Sequence, residues 1–483
     1  QQSNKLNIKP IINLFGVLLI AFSFVMLVPF IIGVIYSEDN HQIYIFVFII
    51  VFAFGLFLWL LSRGSLKEIR ITEGFVITIL FWFVLGMIGS IPFVLSGITI
   101  VDSVFESISG VTTTGATVLT AIEDLPKSLL IYRQLLQWIG GMGLIILVVA
   151  IMPSFGIGGS QLFKMDAPGF DSSEKLTPTI RESAAALWKI YIGLTVLCFI
   201  SYVLAGMDTF DAVSHALSTV SIGGFSTYDQ SIGFFNNIYI EIVCIMFMLL
   251  SATSFSLHYY SIFHGKRLKH FYDPELRFFF LIILGIIIII SIYYLIINSL
   301  DLSSLRYIIF QTISIVTTSG FVTGEYSLMP GFVPFLLLVG AFIGACSGSV
   351  GGGLKAWRVL IIINQAKKEI TKIIHPSAVV TTKIGKKVID ASISEKVWGF
   401  FTVYVITFIM LLMLVLSSGL DFESAFSAVG ATLNNLGPGL GAVSENYGSL
   451  STMTKITLCF AMILGRLEIF TLLVVLTPAF WRR

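Results

Sequence analysis

Charged residues are scarce in this sequence. Only 12% of the 483 residues are Asp, Glu, Lys or Arg, while 56% are hydrophobic. A soluble domain carries about twice that share of charged residues. The formal net charge of +2 is too small to favour nucleic acid as a partner. The long apolar runs instead place the chain in a lipid bilayer, as an all-α polytopic membrane protein.

Cysteine patterns and catalytic motifs are also missing. The four cysteines (Cys198, Cys244, Cys346 and Cys459) lie far apart in apolar segments, without a CxxC or Cys/His spacing. This argues against a disulfide framework and against a metal site built from side chains. The sequence has no Ser/His/Asp set, no carboxylate pair within a span and no phosphate-binding glycine motif. We therefore expect neither an enzyme nor a cofactor in this chain.

Ten segments are long enough to cross a bilayer, which takes about 20 apolar residues. They are 12–36, 44–61, 75–95, 129–152, 185–205, 238–262, 278–297, 333–363, 397–416 and 456–476. Four segments of about half that length lie between them and suit re-entrant helices. These are 103–111, 212–220, 305–316 and 424–433.

Lysine and arginine are concentrated in the loops on one side of these spans. By the positive-inside rule, that side is cytoplasmic, which puts both termini in the cytoplasm. The longer basic segments at 164–181, 264–270 and 367–387 are candidate docking surfaces for a partner, or they reflect the positive-inside rule alone. Lys127, Arg133 and Arg306 are exceptions on the outer side.

Each half-length segment is followed by a short polar stretch that ends in glycine. The four stretches read VTTTG, VSIGG, VTTSG and LNNLG, and they end at Gly115, Gly224, Gly320 and Gly437. Phe105 and Phe310 stand ten residues before their glycines, but Phe426 stands eleven before Gly437. We therefore expect the fourth copy to contain one extra residue. The repeated unit is a span, a half-length helix, a glycine loop and a span.

Four such loops around one axis predict a cation filter. Irregular backbone at membrane depth is tolerated where it lines a water-filled path, and glycine lets successive carbonyl oxygens turn toward that path. Rings of carbonyls replace the water shell of a monovalent cation. The candidate filter residues are Thr113, Thr114, Gly115, Ile222, Gly223, Gly224, Thr318, Ser319, Gly320, Asn435, Leu436 and Gly437. We therefore expect any bound metal to be a monovalent cation held by backbone carbonyls.

Four acids lie near the outer ends of the half-length helices. Asp102, Glu106, Asp211 and Asp421 form either a vestibule that attracts cations or the caps and first turns of the helices. The sequence leaves both interpretations open.

The eighth span contains five glycines in the ten residues 344–353. Because each glycine inside a helix costs about 1 kcal/mol relative to alanine, we expect a break that hangs below the filter as a movable plug. The alternative is close helix packing through small residues. Two charges, Lys355 and Arg466, lie at membrane depth and face a cavity or a partner. The candidate gate residues are Gly344, Ser347, Gly348, Gly351, Gly352, Gly353, Lys355 and Arg466.

These loops, the segment QWIGGMG at 137–143 and the segment GRLE at 465–468 resemble the Trk/Ktr/HKT superfamily of potassium transporters, in particular its TrkH branch. The resemblance covers essentially the whole chain. It implies a pseudo-fourfold pore within one subunit, a homodimer, and a cytoplasmic regulatory ring of the TrkA type that binds nucleotide. A glycine in all four loops implies a preference for potassium. The resemblance also implies a gating loop in the third unit and an arginine, here Arg466, that projects below the filter.

The resulting domain organisation has five parts. Residues 1–70 form two extra N-terminal spans, and residues 71–160, 161–265, 266–370 and 371–483 form the four pore units. The second and fourth units begin with a cytoplasmic loop, and the third contains the broken span. We expect gated potassium uptake across a bacterial cytoplasmic membrane. The alternative is a symporter that couples potassium to protons or sodium, although the sequence lacks the midplane carboxylates that coupling usually requires.

Overall fold

The structure is a computed structural model that describes residues 8–63, 71–143, 180–263, 272–377, 380–385 and 387–477. Within these ranges the chain is predominantly helical, so the predicted fold class is confirmed at that level. The part of the predicted span 129–152 beyond residue 143 lies outside the described residues. So do the basic segments 164–179 and 264–270 and the last six residues.

An antiparallel helical pair forms the N-terminal part. Its first member is α1 (Ile8–Ser23) followed by α2 (Leu27–Ile35), with one turn of 3-10 helix between them, and its second member is α3 (Gln42–Leu61). A Cβ atom on Gly16 would lie 2.8 Å from the carbonyl oxygen of Gly55. The two helices therefore approach as closely as only glycine allows, which is a common way for membrane helices to pack.

The described helices of the rest of the chain fall into four series, in each of which a long apolar helix precedes a half-length helix. The first series is α4 (Ile71–Gly89), α5 (Ile91–Leu95), α6 (Ile100–Val111) and α7 (Lys127–Gly141). The second is α8 (Ile180–Leu204), α9 (Thr209–Val220), α10 (Ile238–Ala252) and α11 (Phe255–Phe263). The third is α12 (Pro274–Ile296), α13 (Leu302–Val316), α14 (Val333–Ile343) and α15 (Ala356–Ile374). The fourth is α16 (Ala391–Leu416), α17 (Phe422–Leu433), α18 (Thr452–Arg466) and α19 (Phe470–Leu476).

A short hairpin joins the third and fourth series. Its antiparallel strands are β1 (Lys383–Ile384) and β2 (Lys387–Val388). Ile361 of α15 and Ile384 of β1 belong to the same small apolar cluster. The hairpin therefore packs against α15, the helix that carries the basic residues from Lys367 to Lys372.

Six described helices are long and apolar enough to cross a membrane, or seven if the bent pair α10 and α11 is one span. They match the predicted spans 12–36, 44–61, 75–95, 185–205, 278–297 and 397–416 and, with its bend, 238–262. The other three predicted spans correspond to the shorter α7, to α14 with α15, and to α18 with α19.

The predicted break in the segment 333–363 is present, between Ile343 and Ala356. Two other spans were wrongly predicted to be continuous. The segment 238–262 bends by 95° between α10 and α11. The segment 456–476 is interrupted after Arg466, where Glu468 and Ile469 have positive φ angles of 51° and 56°. Glu468 therefore lies in the interruption and not on a helix that continues from Arg466.

All four half-length helices, α6, α9, α13 and α17, begin with a capped turn. The capping side chains belong to Thr99, Asp208, Asp301 and Asp421, and each accepts a hydrogen bond from a backbone amide of the first turn. Such caps satisfy amides that the helix itself leaves unpaired. The helices also end at Val111, Val220, Val316 and Leu433, the residues predicted from the sequence.

Candidate cation pathway

The same backbone turn ends all four half-length helices. In each turn the second residue after the helix has a left-handed backbone, with φ between 52° and 62°. These residues are Thr113, Ile222, Thr318 and Asn435. The next amide donates to a carbonyl five residues earlier at 2.8–2.9 Å, which is the hydrogen bond of a Schellman turn. The path of each loop is therefore fixed by the helix before it.

We call the segments after these helices loop 1 (112–118), loop 2 (221–227), loop 3 (317–323) and loop 4 (434–440). In every loop the ring glycine stands three residues after the C-cap residue of the preceding helix. The C-cap residues are Thr112, Ser221, Thr317 and Asn434. The extra residue expected in the fourth copy is therefore not present. Phe426 instead occupies a different position on α17.

The four glycines form a closed ring. A Cβ atom on Gly115, Gly224 or Gly320 would lie less than 3.0 Å from the carbonyl oxygen of Gly223, Ser319 or Leu436, respectively, and one on Gly437 would lie 2.6 Å from that of Thr114. Each loop thus contacts the next, and loop 4 returns to loop 1. All four glycines have positive φ, between 79° and 97°. Glycine is required here both by the backbone angle and by the close approach.

The ring gathers partial negative charge. Four helix C-termini, which carry partial negative charge, end beside it, together with the carbonyl oxygens that precede the glycines. Within the described ranges, no group of three or more His, Cys, Asp or Glu residues could hold a metal ion. Backbone carbonyls such as those beside the four glycines suit a dehydrated monovalent cation.

Loop 4 is held by asparagine side chains instead of threonines. The Nδ2 atom of Asn435 donates to Thr114 Oγ1 at 2.9 Å and to the Met462 carbonyl at 3.0 Å. Asn434 accepts from the Tyr404 hydroxyl at 2.7 Å. These bonds tie loop 4 to loop 1 and to helices α16 and α18. These bonds explain why loop 4 has two asparagines where loops 1 and 3 have threonines.

The acids near the outer helix ends are engaged in bonds within the protein. Glu106 is fully buried and pairs with Arg133 at 2.8 Å, so its assignment to an open vestibule is wrong. Asp211 is buried and accepts from the Thr227 and Tyr228 hydroxyls at 2.8 and 2.9 Å.

The other two acids lie in helix first turns or caps. Asp102 pairs with Lys455 at 2.6 Å. Asp421 caps α17, and hydrogen bonds from the side chain and amide of Ser424 hold the pKa of Asp421 below its ordinary value. The interpretation of these two acids as cap and first-turn residues of the helices therefore accounts for their positions.

The glycine-rich segment 344–353 packs against the ring on the face where the half-length helices end. The Gly352 amide donates to Thr318 Oγ1 of loop 3 at 2.7 Å, and a Cβ on Gly352 would meet the Asn434 carbonyl of loop 4. At its base, the Ala356 amide donates to the Ala345 carbonyl at 3.0 Å. The segment is thus a loop that is closed at its base and lies directly against loops 3 and 4. We call it the crossing loop.

The crossing loop also bonds to the bend between α10 and α11. The Cys346 amide donates to the Ala252 carbonyl, and the Phe255 amide donates to the Gly348 carbonyl, both at 3.0 Å. These two bonds satisfy backbone groups that a helix interrupted at Thr253 and Ser254 leaves open. The bend and the crossing loop therefore depend on each other.

Two cationic side chains hold the crossing loop. The Lys355 ammonium donates to the Gly351 carbonyl within the loop. Arg466 donates to the Val350 carbonyl at 2.8 Å and to the Gly140 carbonyl of α7 at 2.9 Å. The guanidinium of Arg466 is therefore bonded to backbone carbonyls. It links the crossing loop to the end of α7.

Several residues around this site were not predicted from the sequence. The carboxylate of Glu275, at the start of α12, accepts from the Ser347 amide at 2.6 Å and from the Trp357 amide at 3.1 Å. It thus ties Ser347 in the crossing loop to Trp357 at the start of α15, although in the sequence it resembles an ordinary first-turn acid. Arg358 pairs with Glu468, which connects the start of α15 with the interruption after α18.

One signal could have revealed the polar groups behind the ring. Lys127, Arg133 and Arg306 break the positive-inside pattern, and all three are engaged with partners. Lys127 lies 4.1 Å from the centre of the Tyr36 ring, Arg133 pairs with Glu106 and Arg306 pairs with Glu241. A basic residue on the outer side of the spans thus marks an internal contact.

The chain matches the family described as TrkH, cation transport protein, over residues 40–482. It is 47% identical to the Trk system potassium uptake protein TrkH of Halomonas elongata, over 99% of this chain and 100% of the relative. It is 43% identical to the protein of the same name from Escherichia coli K12, with the same coverage. The crystal structure of the potassium transporter TrkH from Vibrio parahaemolyticus superposes with a TM-score of 0.90, at 42% identity, over 99% of this chain and 100% of that chain.

Proposed function

Because this chain belongs to the TrkH family of cation transport proteins, we propose that it takes up potassium through a pore whose filter is the ring of loops 1–4. The chain is a membrane transporter and not an enzyme. The observation that carries the proposal is the closed ring at Gly115, Gly224, Gly320 and Gly437, in which each glycine abuts the carbonyl of the next loop.

The proposed pore has ten membrane crossings. The three shorter predicted spans complete the set: α7, α14 with α15, and α18 with α19. Residues 1–70 precede four pore units, 71–160, 161–265, 266–370 and 371–483, arranged in pseudo-fourfold order around the ring. Four repeats of the same element order and the cyclic contacts of the four glycines support this arrangement.

In the proposed filter, potassium exchanges water for backbone carbonyl oxygens. The ligands come from the twelve residues predicted from the sequence, three in each loop. Because the carbonyls belong to turns fixed by their helices, they do not need to reorganise when an ion binds. The negative ends of the four helices further favour a cation.

In the proposed gate, the crossing loop closes the path below the filter. Gly344, Ser347, Gly348, Gly351, Gly352 and Gly353 supply its backbone, and Lys355 and Arg466 hold it. Three of these glycines have positive φ, so the loop adopts backbone angles that other residues avoid. Glu275 ties the loop at Ser347 to the start of α15 at Trp357.

Regulation is proposed to come from outside this chain. The relatives are named as parts of a Trk system, which supports a cytoplasmic TrkA-type ring that carries the nucleotide. The basic stretch of α15 and the adjoining hairpin lie on the side assigned to the cytoplasm by the positive-inside rule and would face such a ring. A homodimer in the bacterial inner membrane, with both termini cytoplasmic, completes the proposal.

Ion flux into liposomes tests the function. The purified protein, with and without its partner, is compared in potassium, rubidium and sodium. We expect potassium and rubidium to enter much faster than sodium, and the reversal potential to follow the potassium gradient alone. A reversal potential that shifts with pH or with the sodium gradient would instead support the coupled symporter.

A further inference from the structure

A fully buried ion pair joins loops 1 and 2 behind the ring. Arg133 of α7 and Glu106 of α6 are both 0% exposed. Both Nε and Nη2 of Arg133 lie 2.8 Å from Glu106 Oε1. The guanidinium also lies over the Phe225 ring, 4.2 Å from its centre. Neither charged side chain of this pair is exposed to solvent.

The remaining hydrogen-bonding groups of the pair are directed at the two loops. On the side of loop 1, Glu106 accepts from the Thr117 hydroxyl at 3.0 Å and from the Val118 amide at 3.1 Å. On the side of loop 2, Arg133 donates through Nη1 to the Ser226 carbonyl at 3.1 Å. The Thr117 hydroxyl closes the network by accepting from Arg133 at 3.3 Å.

Loop 2 is the loop that most needs support from outside. It alone has a second glycine directly before its ring glycine, at Gly223, where the other loops have Thr114, Ser319 and Leu436. Glycine has the largest backbone freedom of any residue. A loop with two adjacent glycines therefore keeps its path only if other elements hold it.

Helix α7 supplies that support from one face. Gln137 lies one turn after Arg133, so the two side chains point in the same direction. Gln137 donates to the Gly223 carbonyl at 2.6 Å and accepts from the Phe225 amide at 3.2 Å. Together with the Arg133 bond to Ser226, these contacts grip loop 2 at three successive points around its ring glycine.

We propose that Glu106 and Arg133 are a positioning pair that sets loop 2 relative to loop 1 and thereby determines how well the ring discriminates between potassium and sodium. A buried ion pair rarely improves stability over well-packed apolar residues, so stability alone does not explain its presence. What an apolar pair cannot supply is fixed direction, and the planar guanidinium bonds both loops at defined angles. The inference rests on the proposed function, because it concerns the selectivity of that filter.

The chain offers a matched control. Arg306 of α13 bonds to Glu241 of α10 through Nε and Nη2 at 2.6 and 2.7 Å. This pair joins a half-length helix to a neighbouring span, as the Arg133 pair does. It lies in the first turns of α13, at the opposite end of that helix from loop 3. An effect of ion pairs on folding in general would appear at both sites.

The experiment uses the whole protein in liposomes with four variants: T117V, T117S, R133K and R306K. T117V removes the hydroxyl that bridges Glu106 and Arg133 without leaving either charge alone, and T117S restores it. R133K keeps the positive charge but loses the planar guanidinium, which bonds to both loops. The potassium-to-sodium flux ratio per folded protein and the thermal unfolding midpoint are measured for each variant.

We expect T117V and R133K to lower the flux ratio by about tenfold, as for the loss of one charge-assisted hydrogen bond, with T117S and R306K close to the parent. An unchanged ratio in T117V and R133K, with or without a lower unfolding midpoint, would overturn the positioning role. If R133K does not fold, the comparison of T117V with T117S decides. A parent protein that does not prefer potassium would overturn the proposed function itself and not merely this inference.

Discussion

Two glycine-rich regions meet at the centre of this protein, the ring of loops 1–4 and the crossing loop, and they are held in different ways. Each loop of the ring continues from a capped half-length helix through a Schellman turn. Its glycine then abuts the carbonyl of the next loop. The ring is therefore determined mainly by local backbone geometry, repeated four times and closed on itself.

The crossing loop depends on contacts with other parts of the chain. Glu275 of α12 holds Ser347, Arg466 of α18 holds Val350, and the bend after α10 bonds to Cys346 and Gly348. If any of these helices moves, the loop loses its anchors. This difference supports the proposal of a rigid filter and a movable gate, since glycine serves precise turns in the ring and deformability in the crossing loop.

The largest effect is expected from a side chain added to the ring. In Gly115→Ser, the Cβ would collide with the Gly223 carbonyl at a positive φ of 79°, so the ring must open. We expect the potassium-to-sodium flux ratio to fall by more than about tenfold, since even a clash of 1.4 kcal/mol is worth that factor. Gly399→Ser is the matched control, because a Cβ there meets nothing within 4 Å. Equal flux ratios in the two variants would remove the ring from the filter.

Shortening the crossing loop should affect the rate of flux and not its selectivity. Deleting residues 347–350 leaves the base closed, where Ala345 bonds to Gly352 and Ala356. We expect flux in the absence of the partner to rise to the level of the activated parent, with an unchanged preference for potassium. The measurement is uptake per folded protein with and without the partner. A shortened protein that conducts no faster alone would show that the loop is not the gate.

Replacing Arg466 separates its charge from its hydrogen bonds. A positive charge about 5 Å from a monovalent cation opposes it by roughly 3 kcal/mol at an effective dielectric near 20, so Arg466→Ala should raise flux by up to about a hundredfold. Arg466→Lys keeps the charge but cannot bridge the Val350 and Gly140 carbonyls as the two guanidinium nitrogens do. We expect it to raise flux less than alanine does. If the flux of Arg466→Lys equals that of the parent, the charge alone blocks the path.

The smallest effect is expected at Asp421, which caps the start of α17, at the opposite end of that helix from loop 4. Bonds from Ser424 lower the pKa of this cap, so its stabilising effect is complete above the unfolded pKa and is lost as the pH falls through the lower folded pKa. Asp421→Asn keeps a good cap and removes the charge. We expect unchanged potassium uptake at low external potassium and neutral pH. A decrease confined to low potassium would restore the vestibule interpretation.

The sequence predicted the local elements better than their contacts. The ends of the half-length helices were correctly predicted because apolar helical patterns stop there and polar, glycine-containing turns follow. The break at 344–353 was predicted because five glycines weaken a helix. Residue Ile222 shows the limit of such patterns, because a β-branched residue seldom has a positive φ, yet Ile222 has one of 53° in the turn that ends α9.

Features that depend on partners distant in the sequence were not predictable. The bend at Thr253 has no glycine or proline to announce it, and its open backbone groups bond to Cys346 and Gly348, about 90 residues further along the chain. The Glu106–Arg133 pair appeared in the sequence only as an acid near a helix start and a basic residue on the wrong side. Which loop neighbours which in the ring likewise follows from packing alone.

The central claim, that the four glycine loops bind potassium, is tested most directly by locating an ion in the protein. Rubidium replaces potassium in crystals of the whole protein, and its anomalous scattering marks its position. The account predicts rubidium on the axis enclosed by Gly115, Gly224, Gly320 and Gly437, displaced by potassium and retained in excess sodium. Rubidium bound elsewhere, or displaced from the ring as readily by sodium as by potassium, would contradict it.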